Sequence, residues 1–80
     1  MAAGKIISMD KMKIGDSAII ESFTDEIMSL KLLEMGCIPG EVVILERKAP
    51  LGDPIAISVS GYLLSLRVDE ARTVMVIMNV

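Results

Sequence analysis

Glu41-Val42-Val43-Ile44-Leu45-Glu46-Arg47-Lys48, then Ala49-Pro50-Leu51-Gly52-Asp53-Pro54, then Ile55-Ala56-Ile57-Ser58-Val59-Ser60-Gly61-Tyr62-Leu63-Leu64-Ser65-Leu66, is the stretch that decides the fold. Its first run is rich in β-branched residues and too continuous for a strand with one wet face, so it predicts a central strand. The next six residues concentrate turn formers and predict the tip of a hairpin. On the return strand Ile55, Ile57 and Val59 point one way and Ala56 and Ser58 the other, which marks one face as core. Ser60-Gly61 predicts a second tight turn, after which Tyr62, Leu64 and Leu66 alternate with Leu63, Ser65 and Arg67 as a further half-buried strand.

Outward from this meander the signals remain short. Val68-Asp69-Glu70-Ala71 is too brief for a stable helix and predicts a single 3-10 turn before a last apolar strand from Thr73 to Met78. On the other side, Ala18-Ile19-Ile20 after Gly15-Asp16-Ser17 predicts a first strand. Thr24 or Asp25 can cap a helix there, and the acids Asp25 and Glu26 suit its positive end. The helix is expected from Glu26 to Met35, closed by Gly36 and barred from continuing by Pro39. These elements predict one mainly β domain over residues 1–80, with residues 1–7 as a flexible N-terminal extension. The expected architecture is a small, partly open SH3-like barrel of about five strands, with one α-helix between strands 1 and 2 and a short 3-10 turn before the last strand; an OB-type barrel is the runner-up.

Composition narrows the function. Of 80 residues 52% are hydrophobic, yet there is one Phe, one Tyr and no Trp, so the core must be built from Ile, Val, Leu and Met. A net charge of −3 gives nucleic acid no electrostatic footing, and no apolar stretch approaches the ~20 residues that insert in a membrane. Met1-Ala2-Ala3-Gly4-Lys5-Ile6-Ile7 lacks the apolar region of an export signal, and a lone Cys37 fits a reducing compartment, so a soluble, cytoplasmic protein is expected. With no His, imidazole catalysis and His metal ligation are excluded. Cys37, after the helix end, faces a negative dipole that disfavours its thiolate, and it is expected as a small core residue. Asp69 and Glu70 are adjacent but diverge, and Gly36, Gly40, Gly52 and Gly61 punctuate turns without forming a phosphate loop. A polyproline groove needs aligned aromatics that Tyr62 alone does not supply. No catalytic, cofactor-binding or metal-ligating residue is therefore expected; the chain is read as a non-enzymatic binding protein.

Two features suggest a partner surface. Ile27, Met28, Leu30, Leu32, Leu33 and Met35 spread around most of the helix, where one stripe would suffice for a core; wide packing against the barrel and a docking face are both consistent with this. Leu51 lies between Pro50 and Gly52 at the hairpin tip, away from the core, as an isolated exposed leucine or a docking residue. The candidate partner-binding residues are Met28, Lys31, Leu32 and Met35 on the helix, Leu51 at the tip and Arg67 at a strand end.

The segments Lys31-Leu32-Leu33-Glu34-Met35-Gly36-Cys37-Ile38-Pro39-Gly40, Ala49-Pro50-Leu51-Gly52-Asp53-Pro54 and Gly61-Tyr62-Leu63-Leu64-Ser65-Leu66-Arg67-Val68-Asp69-Glu70-Ala71, in this order, closely resemble the FeoA domain, with the match beginning near Ser8 to Gly15. Lys31 stands where Arg is common in that family, and Cys37 where an aliphatic residue is common. The resemblance implies an SH3-like barrel in the bacterial cytoplasm that works beside FeoB, a membrane protein with a GTPase domain that imports ferrous iron. It makes this chain an accessory or regulatory protein of ferrous-iron uptake acting by protein contact. The rivals are a freestanding relative of the C-terminal SH3-like domain of iron-dependent repressors, a homo-oligomeric scaffold, and an arginine finger formed by Arg47, Arg67 or Arg72.

Overall fold

Paired alternation along the chain builds one sheet, which a computed structural model describes for residues 4–78. Its strands are β1 (Ile6–Ser8), β2 (Ser17–Phe23), β3 (Val42–Lys48), β4 (Ile55–Val59), β5 (Tyr62–Leu66) and β6 (Val74–Met78). They pair antiparallel in the order β1-β6-β2-β3-β4-β5. No pairing joins β1 to β5 among the described residues, so the barrel stays open between them. It has six strands in place of about five. The added one, β1, includes Ile6 and Ile7, which the sequence alone places in a flexible extension; a three-residue run carries no period of its own and takes its order from β6, with Ile6 opposite Ile77 and Ile7 opposite Val76. Residues 1–3 of that extension lie outside the described residues. A 3-10 turn, Met9–Lys11, follows β1 and buries Met9, with Met12 just beyond it.

The helix α1 (Glu26–Met35) stands between β2 and β3 as its signals require. Asp25 caps it, its Oδ1 accepting the Met28 N–H at 2.9 Å. At the other end Gly36 takes a φ of 104°, which a side chain with a Cβ disfavours. This left-handed step lets the Gly36 N–H donate to Leu33 O at 3.1 Å and the Cys37 N–H donate to Leu32 O at 2.9 Å, a Schellman closure. Leu32 and Cys37, the two residues this closure joins, are both fully buried. Burial pushes the Cys37 thiol up from its ordinary pKa, in keeping with a packing role.

Two details of the sheet place the residues that matter later. Between Leu45 and Arg47 the β3–β4 register shifts by a bulge: Leu45 pairs with Ile57, but Arg47 pairs with Ala56. Strict alternation would turn Arg47 to the same face as the buried Val43 and Leu45; the extra residue, Glu46, lets both Glu46 and Arg47 face solvent. β3 lies inside the sheet as expected, but its outer face is wet, with Val42 exposed and Ile44 half-buried. The other detail is α2 (Val68–Ala71), a single α-helical turn where a 3-10 turn was expected. Arg67 O accepts from both the Glu70 and the Ala71 N–H at 3.0 Å, so the turn carries the longer α-type bond as well as the shorter one.

Met28, Leu32 and Met35, at i, i+4 and i+7, form the stripe of α1 that meets the core. Leu32→Ala should therefore lower unfolding free energy by about 2–5 kcal/mol in chemical denaturation, and Ile27→Ala by less than about 0.5 kcal/mol. Equal costs would show that α1 packs with a different phase.

Candidate functional site

Three of the six sequence-derived candidates converge. Lys31 and Met35, one turn apart on α1, and Arg67, at the junction of β5 and α2, line one open cleft of about 620 Å³ together with Asp53, Pro54, Ser65 and Glu70. Of the other three, Leu51 is 97% exposed on the β3–β4 loop, two residues before Asp53. Met28 is half-buried against the core. Leu32 is fully buried, which removes it as a docking residue: the apolar residues of α1 that remain exposed are Ile27, Leu30 and Leu33. A helix apolar nearly all round cannot show its inward side until the barrel beneath it is placed.

Glu70 organises the cleft. It is the only buried charged residue among the described residues. Its Oε2 accepts from Lys31 Nζ at 2.5 Å and its Oε1 from the Arg67 backbone N–H at 2.9 Å. The Lys31 ammonium first, and the Arg67 N–H after it, hold the carboxyl below the ordinary carboxylate range against the opposing effect of burial. The other acid of the cleft, Asp53, is also engaged, its Oδ1 accepting the Val68 N–H at 3.0 Å. Both acids thus spend acceptor capacity on the fold, whereas the Arg67 guanidinium is in no ion pair among the described residues.

A second cleft, of about 340 Å³, adjoins the first and shares Pro54 and Ser65 with it. Arg47 and Lys48 line it, and the cross-strand row Arg47, Ala56, Ser65 leaves room there because two of its side chains are small. Ser65, Pro54, Asp53 and Glu70 were not recognised as site residues from the sequence. The β4–β5 register that aligns Ala56 with Ser65 follows from the Ser60-Gly61 turn; the sequence's sign of the bulge is a charged residue, Arg47, in an inward phase. On the same outer side of the sheet a further row, Ile6, Ile77, Ile19 and Val42, runs across β1, β6, β2 and β3, with Ile6, Ile19 and Val42 exposed.

No group of three or more His, Cys, Asp or Glu is placed to hold a metal ion among the described residues, and no described helix is long and apolar enough to cross a membrane. The clefts and the exposed apolar side chains are carried on a small, open SH3-like barrel. The model of the FeoA domain matches residues 7–78, and the chain belongs to that family. Among solved structures it is similar to a FeoA-like protein of Clostridium acetobutylicum, at 33% identity and a TM-score of 0.88, covering 100% of this chain and 92% of that one. It is also similar to the Stenotrophomonas maltophilia FeoA complexed with zinc, described as a prokaryotic SH3-domain protein and put forward as a ferrous-iron transport activating factor; identity is 29%, TM-score 0.77, and 88% of each chain is covered. A manganese-dependent transcriptional repressor shares the fold alone, at 11% identity and a TM-score of 0.84, over 99% of this chain and 45% of that one. No protein of curated function matches the sequence.

Because Glu70 is held ionised in the folded state, its contribution to stability is present above the ordinary carboxylate pKa of about 4.3 and is lost as pH falls through the lower folded value. The melting temperature should drop on acidification below about pH 4.3, and Glu70→Gln should lower it at pH 7 while flattening that acid arm. An undiminished acid slope in the variant would assign the loss to other carboxylates.

Proposed function

We propose that this chain is a cytosolic, non-enzymatic accessory protein of a ferrous-iron uptake system, acting by contact with a FeoB-type membrane GTPase transporter. The observation that carries the proposal is the set of large apolar side chains that folding leaves unused: Ile27 at 82%, Leu30 at 65% and Leu51 at 97% exposure. Membership of the FeoA family supports the iron-uptake setting, and the role put forward for the Stenotrophomonas protein supports an activating contact. Side chains of this size on a loop tip and the outer side of a helix gain little from folding; a partner that buries them gains most of their transfer free energy. Iron is the transporter's cargo in this proposal.

A second possibility, self-association into a scaffold, is supported by the row Ile6, Ile19 and Val42 on the outside of the sheet. Sedimentation velocity over a hundredfold range of concentration separates the two, since a single monomeric species throughout removes the scaffold.

The docking proposal is tested by pull-down of the purified chain with detergent-solubilised transporter, with and without guanine nucleotide. Leu51→Asp should leave circular dichroism and melting temperature nearly unchanged while reducing both retention of the transporter and ferrous-iron uptake in cells carrying only the variant. Unaltered uptake at normal protein levels would remove the loop tip from the contact. Calorimetric titration of the monomer with ferrous iron or zinc should give no stoichiometric sub-micromolar binding, because the chain has no His and its single Cys is buried. A one-to-one isotherm in that range would make the protein itself a metal binder.

A further inference from the structure

The bulge in β3 decides which charge stands opposite the middle of β4. Had the pairing of Leu45 with Ile57 continued in step, Glu46 would lie opposite Ala56 and Arg47 opposite the buried Ile55. The extra residue puts Arg47 opposite Ala56 instead, and Ser65 of β5 comes next in the same row. The displaced carboxylate turns one position further along the outer face of β4, where Glu46 Oε2 accepts from Ser58 Oγ at 2.9 Å. A bulge gives up ladder regularity to re-aim a side chain. Here it exchanges an acid for a guanidinium beside the second cleft.

No acid offsets that guanidinium. Arg47 and Lys48 line the cleft without any Asp or Glu, and neither is in an ion pair among the described residues. Of the acids nearby, Glu46 is engaged by Ser58, and Asp53 lines the other cleft and accepts the Val68 N–H. The remaining lining is the Ser65 hydroxyl and the apolar Ala49, Pro50, Pro54, Ile55 and Ala56. This mixture selects among anions. A free phosphate would leave the apolar part uncovered, and two cations on a body of net charge −3 neutralise too few phosphates to hold a nucleic-acid strand. A protein segment whose carboxylate is flanked by an apolar side chain matches both halves, because a guanidinium offers a carboxylate a two-point fork. Ala56 and Ser65, both small, leave the space beside Arg47 open to it.

We propose that the second cleft is a docking site for an acidic segment of another protein, which seats a carboxylate on Arg47 and Lys48 and lays an adjoining apolar side chain against Pro50 and Pro54. Side chains on the outer face of the sheet make this contact, and no pairing at a strand edge is needed. Arg47 supplies the selection for a carboxylate, and Ala56 supplies the clearance. The surface is distinct from the outer side of α1 and from Leu51, so it stands or falls independently of the transporter contact.

The test is an NMR titration of the full chain, ¹⁵N-labelled and in phosphate-free buffer, with a blocked pentapeptide of sequence Gly-Glu-Leu-Glu-Gly. Saturable shifts at the Arg47 Nε–H and at the Arg47, Ala56 and Ser65 amides are expected. Arg47→Gln should weaken binding at least about fivefold at unchanged melting temperature. Ala56→Leu, which fills the clearance and alters no charge, should do likewise. Lys11→Gln makes the same change of charge at an exposed residue that lines neither cleft, and should alter binding by less than about twofold at an ionic strength of about 0.1 M. No saturable shift at millimolar peptide, equal binding of a peptide with Gln for Glu, full binding by Ala56→Leu, or an equal loss in Lys11→Gln would each overturn the proposal. So would tighter binding of inorganic phosphate or of a single-stranded DNA ten-mer at the same amides, which would make the cleft a site for small anions or polyanions.

Discussion

Glu70 ties together α1, the end of β5 and α2, which otherwise meet through the core and through the Asp53 contact to Val68. One carboxylate oxygen holds the side chain of Lys31 on α1, and the other holds the backbone N–H of Arg67 where β5 gives way to α2. A four-residue helix has almost no stability of its own, because nucleation fixes several dihedrals for one bond. Buried acceptance of the Arg67 N–H, with Ala71 packed beneath it, supplies the anchoring that propensity does not. The same carboxylate joins Lys31 on α1 to the β5–α2 junction across the cleft they line. Breaking the pair from the Lys31 side leaves a carboxylate nine-tenths covered without its counter-charge, whereas Lys31 itself, 59% exposed, returns to solvent at little cost.

Much of this framework was legible in the chain because the relevant physics is local. Asp25 before the helix, Gly36 after it and Ser60-Gly61 between strands act within a few residues, and each does in the fold what its chemistry requires. The alternation of Ile55, Ile57 and Val59 survives unchanged because a single wet face imposes it. What escaped has a common cause. β1 is ordered by pairing with β6 some seventy residues away, Met9 and Met12 reach the core through a 3-10 turn with no apolar period, and α2 depends on a tertiary contact. None of these leaves a pattern in its own stretch of sequence.

The site was legible by a different margin. Lys31, Met35 and Arg67 are far apart in sequence and meet at one cleft, but Leu32, drawn from the same helix, is core. The error is one of phase: α1 is apolar on most sides, so its wheel fits several orientations, and only the barrel chooses among them. The bulge after Leu45 is a similar case with the opposite lesson. Arg47 falls where simple alternation predicts a buried side chain, and a guanidinium cannot be buried unpaired without a large desolvation cost. A charged residue in an inward phase is thus itself a signal that the strand must slip by one.

That slip has an electrostatic consequence. By turning Arg47 outward beside Ala56 and Ser65, the bulge sets a guanidinium with Lys48 on the wall of the second cleft, which no acid lines, on a protein that is acidic as a whole. Uniform net charge would repel an acidic partner at long range and leave nothing to orient it. A negative body with one basic groove instead favours only approaches in which the groove leads, and at an ionic strength of about 0.15 M the opposing charges elsewhere are screened beyond about 8 Å. The apolar residues of α1 and Leu51 lie outside that lining and carry no charge to steer by. Association through them would gain from burial after contact and little from attraction before it.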